Sequence, residues 1–118
     1  KLFRTIRILL FVGAASSFSG CSTFMHFPTR YLYVDPAKMG LEFDEVKIPS
    51  YDGTGLTGWR FRQKRAKKAK GLIFFAHGNA QNISAHFTAL AWVLEKGYDF
   101  FIFDYRGYGA SEGSRPTP

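Results

Sequence analysis

The apolar run Leu72 to Ala76 breaks directly into His77-Gly78-Asn79-Ala80 and then into a helical pattern. No other feature constrains the chain as much. A short continuous apolar run bounded by turn residues reads as a strand buried on both faces. When such a strand ends in a tight polar turn and continues as a helix, backbone amides gather at its tip. The partial positive charge of the helix N-terminus adds to them, and together they favour a developing negative charge. The junction therefore predicts a parallel sheet with an anion-stabilising turn at the end of one strand.

The flanking segments fit the same architecture. Glu42 to Pro49 alternates, with Phe43, Val46 and Ile48 apolar, and Leu56 to Arg62 forms a second strand; Asp52-Gly53 between them is a turn signal, so the pair reads as a β-hairpin. A helix is expected from about Ile83 to Lys96, because Ile83, Phe87, Leu90 and Leu94 recur on one face. Asn82 or Ser84 can cap its start, and Gly97 fits its stop. Tyr98 to Tyr105 is another apolar strand. Strand, helix and strand with short connections make a βαβ unit. The aromatic content of 18%, with 13 Phe, suits strands covered on both faces.

The formal net charge of +7 resembles a nucleic-acid signal but is local. Lys1, Arg4 and Arg7 open the chain, and Arg62, Lys64, Arg65, Lys67, Lys68 and Lys70 crowd one short run. Without these two groups, seven basic residues face nine acidic ones, so the body of the chain offers no broad phosphate-binding face. The basic run reads as a solvated loop between strands; the other reading is docking on anionic lipid.

Residues 1–20 carry a positive n-region and a short apolar h-region, Ile8 to Phe18, well short of a membrane span. Phe18-Ser19-Gly20-Cys21 follows, and small residues before a lone Cys resemble the bacterial lipobox. The expectation is a lipoprotein signal over 1–20, lipidation at Cys21, and an anchored lead-in over 21–40. The alternative is an uncleaved apolar anchor with a chance Cys. Ser22 at the next position suits outer-membrane sorting in the lipoprotein pattern this resembles. The lead-in contains Phe24, Phe27, Tyr31 and Tyr33, too aromatic for a free linker, so it is expected to pack on the domain that occupies 41–118.

Four stretches then carry a family resemblance: Ser50-Tyr51-Asp52-Gly53 with Leu56-Thr57-Gly58-Trp59; His77-Gly78-Asn79-Ala80-Gln81-Asn82; Asp104-Tyr105-Arg106-Gly107-Tyr108-Gly109; and Ser111-Glu112-Gly113. In order and spacing they resemble the N-terminal part of an α/β-hydrolase of the YfhR-type, serine-aminopeptidase-like group. The resemblance implies an incomplete α/β-hydrolase fold, an antiparallel hairpin leading into a parallel βαβ unit. It implies an oxyanion-hole amide at Asn79, and a site shaped by His77, Gly78, Asp104, Arg106, Gly107 and Gly109. It also implies a nucleophile, acid and base later in sequence, after Pro118, in the order Ser, Asp/Glu, His. In that fold the third strand lies between the fourth and the fifth. Leu72 to Ala76 is then a bare edge here, and about four large side chains lie uncovered on the sheet face opposite the helix.

Two motifs point elsewhere only on paper. Gly109-Ala110-Ser111-Glu112-Gly113 spells G-x-S-x-G, but it follows a loop and opens no helix, so Ser111 reads as a turn-stabilising hydroxyl rather than a nucleophile. Gly53-Thr54-Gly55-Leu56-Thr57-Gly58 spells G-x-G-x-x-G, but it opens an alternating strand and reads as hairpin chemistry. His77 is either a base or a structural residue that fixes the turn; no adjacent nucleophile or carboxylate is visible, which favours the second. His86 reads as a boundary residue of the helix. Asp104 and Arg106 bind substrate, or else form an internal ion pair or a loop brace, and the structural role is favoured.

Two functional readings follow. One is a serine hydrolase acting on small-molecule ester, thioester or amide bonds. It would be anchored in the bacterial cell envelope by a lipidated Cys21, on the periplasmic side of the outer membrane, with no cofactor, no metal and no nucleic-acid partner. The other is a non-catalytic lipoprotein that uses the same fold as a binding module. On the first, residues 1–118 alone are inactive.

Overall fold

The computed structural model describes residues 26–114. The signal, Cys21 and the first residues of the lead-in lie outside that range. Its elements in order are β1 (Phe27–Pro28), a 3-10 turn (Pro36–Met39), β2 (Phe43–Pro49), β3 (Gly55–Phe61), β4 (Leu72–Phe75), β5 (Ala80–Gln81), α1 (Ile83–His86), a 3-10 turn (Phe87–Ala89), α2 (Trp92–Glu95) and β6 (Asp99–Phe103).

Four strands form one sheet in the order β2-β3-β6-β4. The β2–β3 hairpin is antiparallel, from Phe43 opposite Phe61 to Pro49 opposite Gly55. Its turn closes with the Gly53 amide donating to the Ser50 carbonyl and the Ser50 amide donating to the Thr54 carbonyl. The G-x-G-x-x-G string therefore spans this turn and the start of β3. β4 and β6 are parallel neighbours, Leu72 opposite Asp99 and Phe75 opposite Ile102, with the helical segment crossing over between them. That is the expected βαβ unit, joined to the hairpin through an antiparallel β3–β6 pair.

One helix was expected over Ile83 to Lys96; the structure breaks it. Asn82 caps α1, its side chain accepting from the Ser84 amide. After one turn the backbone tightens: the Leu90 amide donates to the Phe87 carbonyl and the Ala91 amide to the Thr88 carbonyl, both i→i+3 bonds. Phe87 and Thr88 lose side-chain freedom in a regular helix, so this stretch has little intrinsic hold on α geometry. Tertiary packing sets it instead. Ile83, Phe87, Val93 and Leu94 are buried with Trp59, Phe61, Phe100 and Ile102 in one core, and Leu90 packs against its edge. Phe61 stacks between Phe87 at 5.4 Å and Phe100 at 4.5 Å. Each such buried ring contributes about 1.5–3 kcal/mol, more than a single helical hydrogen bond adds net, at about 0.5–1.5 kcal/mol.

β4 is the outermost strand, and Leu72 and Phe74 are 54% and 62% exposed on the face away from the helix. Of the four side chains expected to be bare there, Phe103 is half-buried against Phe74, and Phe101 is covered. Phe101 is buried, packed against Phe74 and over Gly58, where an added Cβ would stand 2.4 Å from its ring.

The lead-in docks by its backbone rather than by its aromatic rings. β1 pairs in parallel with β5, and the Asn82 side chain donates to the carbonyls of Thr29 and Tyr31. The Tyr33 amide donates to Ser84 Oγ at 2.9 Å. Phe27 and Tyr31 remain exposed. In the basic run, Arg62 pairs with Asp44, Lys64 with Glu42 and Arg65 with Glu95, so half of its charge is matched locally. Among the described residues no helix is long and apolar enough to cross a membrane.

Candidate active site

The chain leaves β4 at Phe75 and enters the turn His77 to Ala80, past the end of the strand where a parallel sheet presents its ligands. His77 is buried, whereas Gly78 and Asn79 are exposed. Four successive carbonyls of this turn each accept a hydrogen bond from a side chain. Tyr105 Oη donates to the His77 carbonyl at 2.6 Å. His77 Nδ1 donates to the Gly78 carbonyl at 2.8 Å. Tyr108 Oη donates to the Asn79 carbonyl at 2.7 Å, and His86 Nε2 donates to the Ala80 carbonyl at 2.9 Å. A carbonyl only accepts, so His77 carries a proton on Nδ1 and His86 one on Nε2. The two imidazoles stack, with centroids 5.4 Å apart and planes 10° from parallel.

The loop after β6 supplies both tyrosines and is itself braced. Asp104 is buried, and its Oδ1 accepts the Ile83 amide at 2.8 Å and lies 3.4 Å from His77 Nε2. Among the described residues His77 Nε2 has no hydrogen-bond partner. Ser111 is fully buried: its hydroxyl donates to the Asp104 carbonyl at 2.7 Å and accepts the Thr57 amide at 2.9 Å. It stabilises a turn, as the sequence reading held, and its hydroxyl faces the interior. Burial pushes the Tyr105 phenol above its usual range, which keeps its proton in place as a donor.

One expectation needs correction. The anion-stabilising turn was expected to sit on the helix N-terminus, but β5 intervenes, and Gln81 adopts a left-handed φ of 65° before the helix starts. α1 spans one turn, and its leading amides are used internally, Ile83 on Asp104 and Ser84 on Asn82. The helix therefore adds little to the charge preference of the turn. Asp104 and Arg106, for which an internal ion pair or a loop brace was expected, each tie the loop to another element, Asp104 to the Ile83 amide and Arg106 to the hairpin; they do not pair with each other. Arg106 reaches Asp52 in the hairpin turn, and this hydrogen bond, with a second from the Thr54 amide, lowers the Asp52 carboxyl to about 2.

The candidate residues thus fall into two groups. His77, Gly78, Asn79 and Asp104 come together at the tip of β4, and Gly109 joins them because its backbone lies against the Asp104 carboxylate. Arg106 and Gly107 belong to the tie between this loop and the β2–β3 turn, where the Gly107 amide donates to the Glu112 carbonyl and the Gly55 amide to the Glu112 carboxylate. Tyr105, Tyr108 and His86 were missed as site residues. The two tyrosines lie in the Asp104 to Gly109 motif itself, and their spacing of three is the signal that was available. Among the described residues no group of three His, Cys, Asp or Glu side chains is placed to hold a metal ion.

No protein-family model matches the chain. YfhR of Escherichia coli (strain K12), described as uncharacterised, is 37% identical over 94 residues, covering 77% of this chain and 32% of YfhR. The α/β-hydrolase domain-containing protein WAV2 of Arabidopsis thaliana is 31% identical over 81 residues, covering 68% of this chain and 26% of WAV2. Among solved structures, an esterase of Pyrococcus furiosus superposes with a TM-score of 0.60 at 26% identity, over 79% of this chain and 35% of the esterase. The chain spans between a quarter and a third of the length of the curated relatives it matches. It is a relative of the α/β-hydrolases, and its sheet is part of their fold.

Proposed function

We propose that residues 77–80 are the oxyanion-stabilising turn of a serine hydrolase that cleaves ester, thioester or amide bonds of small molecules. The observation that carries this reading is the bond from His77 Nδ1 to the Gly78 carbonyl. A peptide unit is planar and trans, so fixing the Gly78 carbonyl fixes the Asn79 N–H on the opposite side of the same plane. A serine attacking an acyl carbon converts its carbonyl oxygen to an oxyanion. A preset amide donor is worth roughly 100- to 1000-fold in kcat at that step. The nucleophile, acid and base are assigned to sequence beyond residue 118, where Ser, Asp/Glu and His follow one another in this fold. The length of the relatives and the esterase likeness support that assignment.

On the same reading, residues 1–20 direct export and Cys21 carries acyl chains that hold the protein on the periplasmic side of the outer membrane. Two or three chains suffice, since each buried methylene contributes about 0.8 kcal/mol. The test is turnover of p-nitrophenyl acetate and butyrate by the full-length protein, with a fluorophosphonate as active-site label. Hydrolysis abolished by the label supports the enzyme. A folded protein that neither turns over nor labels supports the binding module instead.

A further inference from the structure

We infer that Tyr105, Tyr108 and His86 are positioning residues for the oxyanion turn, acting through the carbonyls they hold. This rests on the function proposed above. His77 alone would set one peptide plane. The structure sets four in a row, with side-chain donors on the carbonyls of His77, Gly78, Asn79 and Ala80. By the planarity used above, Tyr105 aims the Gly78 N–H, Tyr108 the Ala80 N–H and His86 the Gln81 N–H. The planes on both sides of the Asn79 amide are thereby held, which matters because an oxyanion donor must sit about 2.7–3.1 Å from the developing charge. A turn with a glycine at its centre has wide backbone freedom of its own, so rigidity has to come from outside the segment.

The two tyrosines are suited to that task. They sit on one tight turn, the Tyr108 amide donating to the Tyr105 carbonyl at 2.9 Å. Tyr108 is fully buried, and the Tyr105 ring packs against the His77 ring with centroids 4.3 Å apart. Their loop is tied to the sheet through Ser111 and Thr57 and to the helix through Asp104 and Ile83. The geometry of the turn after β4 is thus held by the loop after β6, across 28 and 29 positions of sequence, with β1 as a second support through the Phe27 amide on the Asn79 carbonyl at 2.8 Å. A hydroxyl on a fixed ring is a donor with little freedom to lose, unlike a lysine or glutamine in the same role.

The experiment uses Tyr105→Phe, Tyr108→Phe and the double variant of the full-length protein, which remove the hydroxyls and keep the rings. The readouts are kcat and KM on p-nitrophenyl butyrate, affinity for an alkyl boronic acid as tetrahedral mimic, and backbone NMR order parameters at residues 78–80. Each single variant is expected to lose about tenfold in kcat with KM changed less than about twofold, and to lose boronate affinity in parallel, as misplacing a preset donor does. The order parameters at residues 78–80 are expected to fall from about 0.85 toward about 0.6 while core amides stay rigid. Unchanged kcat and unchanged order parameters in the double variant, beside an active parent, overturn the positioning role and leave the hydrolase reading intact. A rise in KM alone overturns it too. A folded parent with no turnover and no fluorophosphonate label overturns the hydrolase reading first, and the positioning role falls with it.

Discussion

The amide of Thr57 donates to the hydroxyl of Ser111 at 2.9 Å, although 54 positions separate them, and the same hydroxyl donates onward to the Asp104 carbonyl. A serine inside a G-x-S-x-G string is thus a buried strut between β3 and the loop after β6. Ser111→Ala leaves a buried amide and a buried carbonyl without their partner, which costs about 1–3 kcal/mol for each. Urea denaturation of the full-length protein is expected to show that loss. Mass spectrometry after fluorophosphonate treatment is expected to find no label on Ser111. A Ser111→Ala variant of unchanged stability contradicts the strut.

Gly109 lies at φ +48° with its backbone against Asp104, where a Cβ would fall 1.9 Å from Oδ2. Two effects add in Gly109→Ala: the left-handed backbone, about 1–2 kcal/mol, and displacement of a buried carboxylate that holds Ile83. The variant is expected to unfold at least about 2 kcal/mol more easily than the parent, by the same denaturation measurement. Equal stability would mean that Asp104 can move freely, and the bracing of this loop would be wrong.

Asp52 is held low by the Arg106 guanidinium and then by the Thr54 amide, at about 2 against an ordinary 3.8. A depressed carboxyl contributes stability that is present above 3.8 and lost as pH falls through about 2. A carboxyl-carbon NMR titration is expected to place Asp52 near 2, and Arg106→Ala to return it toward 3.8. Because the pair is solvent-facing, salt is expected to weaken the shift. A titration near 3.8 in the parent contradicts the contact.

Periodicity was informative where burial dominates. The hairpin, β4 and β6 follow from alternating or continuous apolar runs, and the helical face Ile83, Phe87, Leu90, Leu94 was right even though the helix is broken. What the pattern lacks is any mark of the break, because packing onto Phe61 and Trp59 sets it rather than propensity. β5 was illegible for a similar reason. Ala80 and Gln81 become a strand only because Phe27 and Pro28 come alongside. At the site, the turn 77–80 was readable as the end of a strand, and so was the turn role of Ser111. Of the donors that hold the turn, His77 was readable as a residue that fixes it; Tyr105 and Tyr108 were not, because they reach it through a loop whose course depends on Asp104, Ser111 and Thr57 together.

The edge at β4 gives a prediction about solubility. Leu72 and Phe74 stand exposed on β4, which among the described residues is the outermost strand with unpaired backbone along one side. Residues 1–118 expressed alone are expected to self-associate, and Leu72→Lys with Phe74→Lys to reduce this by placing charge on the edge. Static light scattering checks it. Equal association of both chains contradicts the edge as the contact.

The central claim is that Asn79 offers its amide to an oxyanion made by a serine elsewhere in the protein, and covalent labelling tests it most directly. The full-length protein is treated with a fluorophosphonate, digested, and the modified residue identified by mass spectrometry, with p-nitrophenyl butyrate hydrolysis followed in parallel. The account predicts one modified serine beyond residue 118 and loss of hydrolysis in step with its modification. A label on Ser111, or a folded protein with neither label nor hydrolysis, contradicts it.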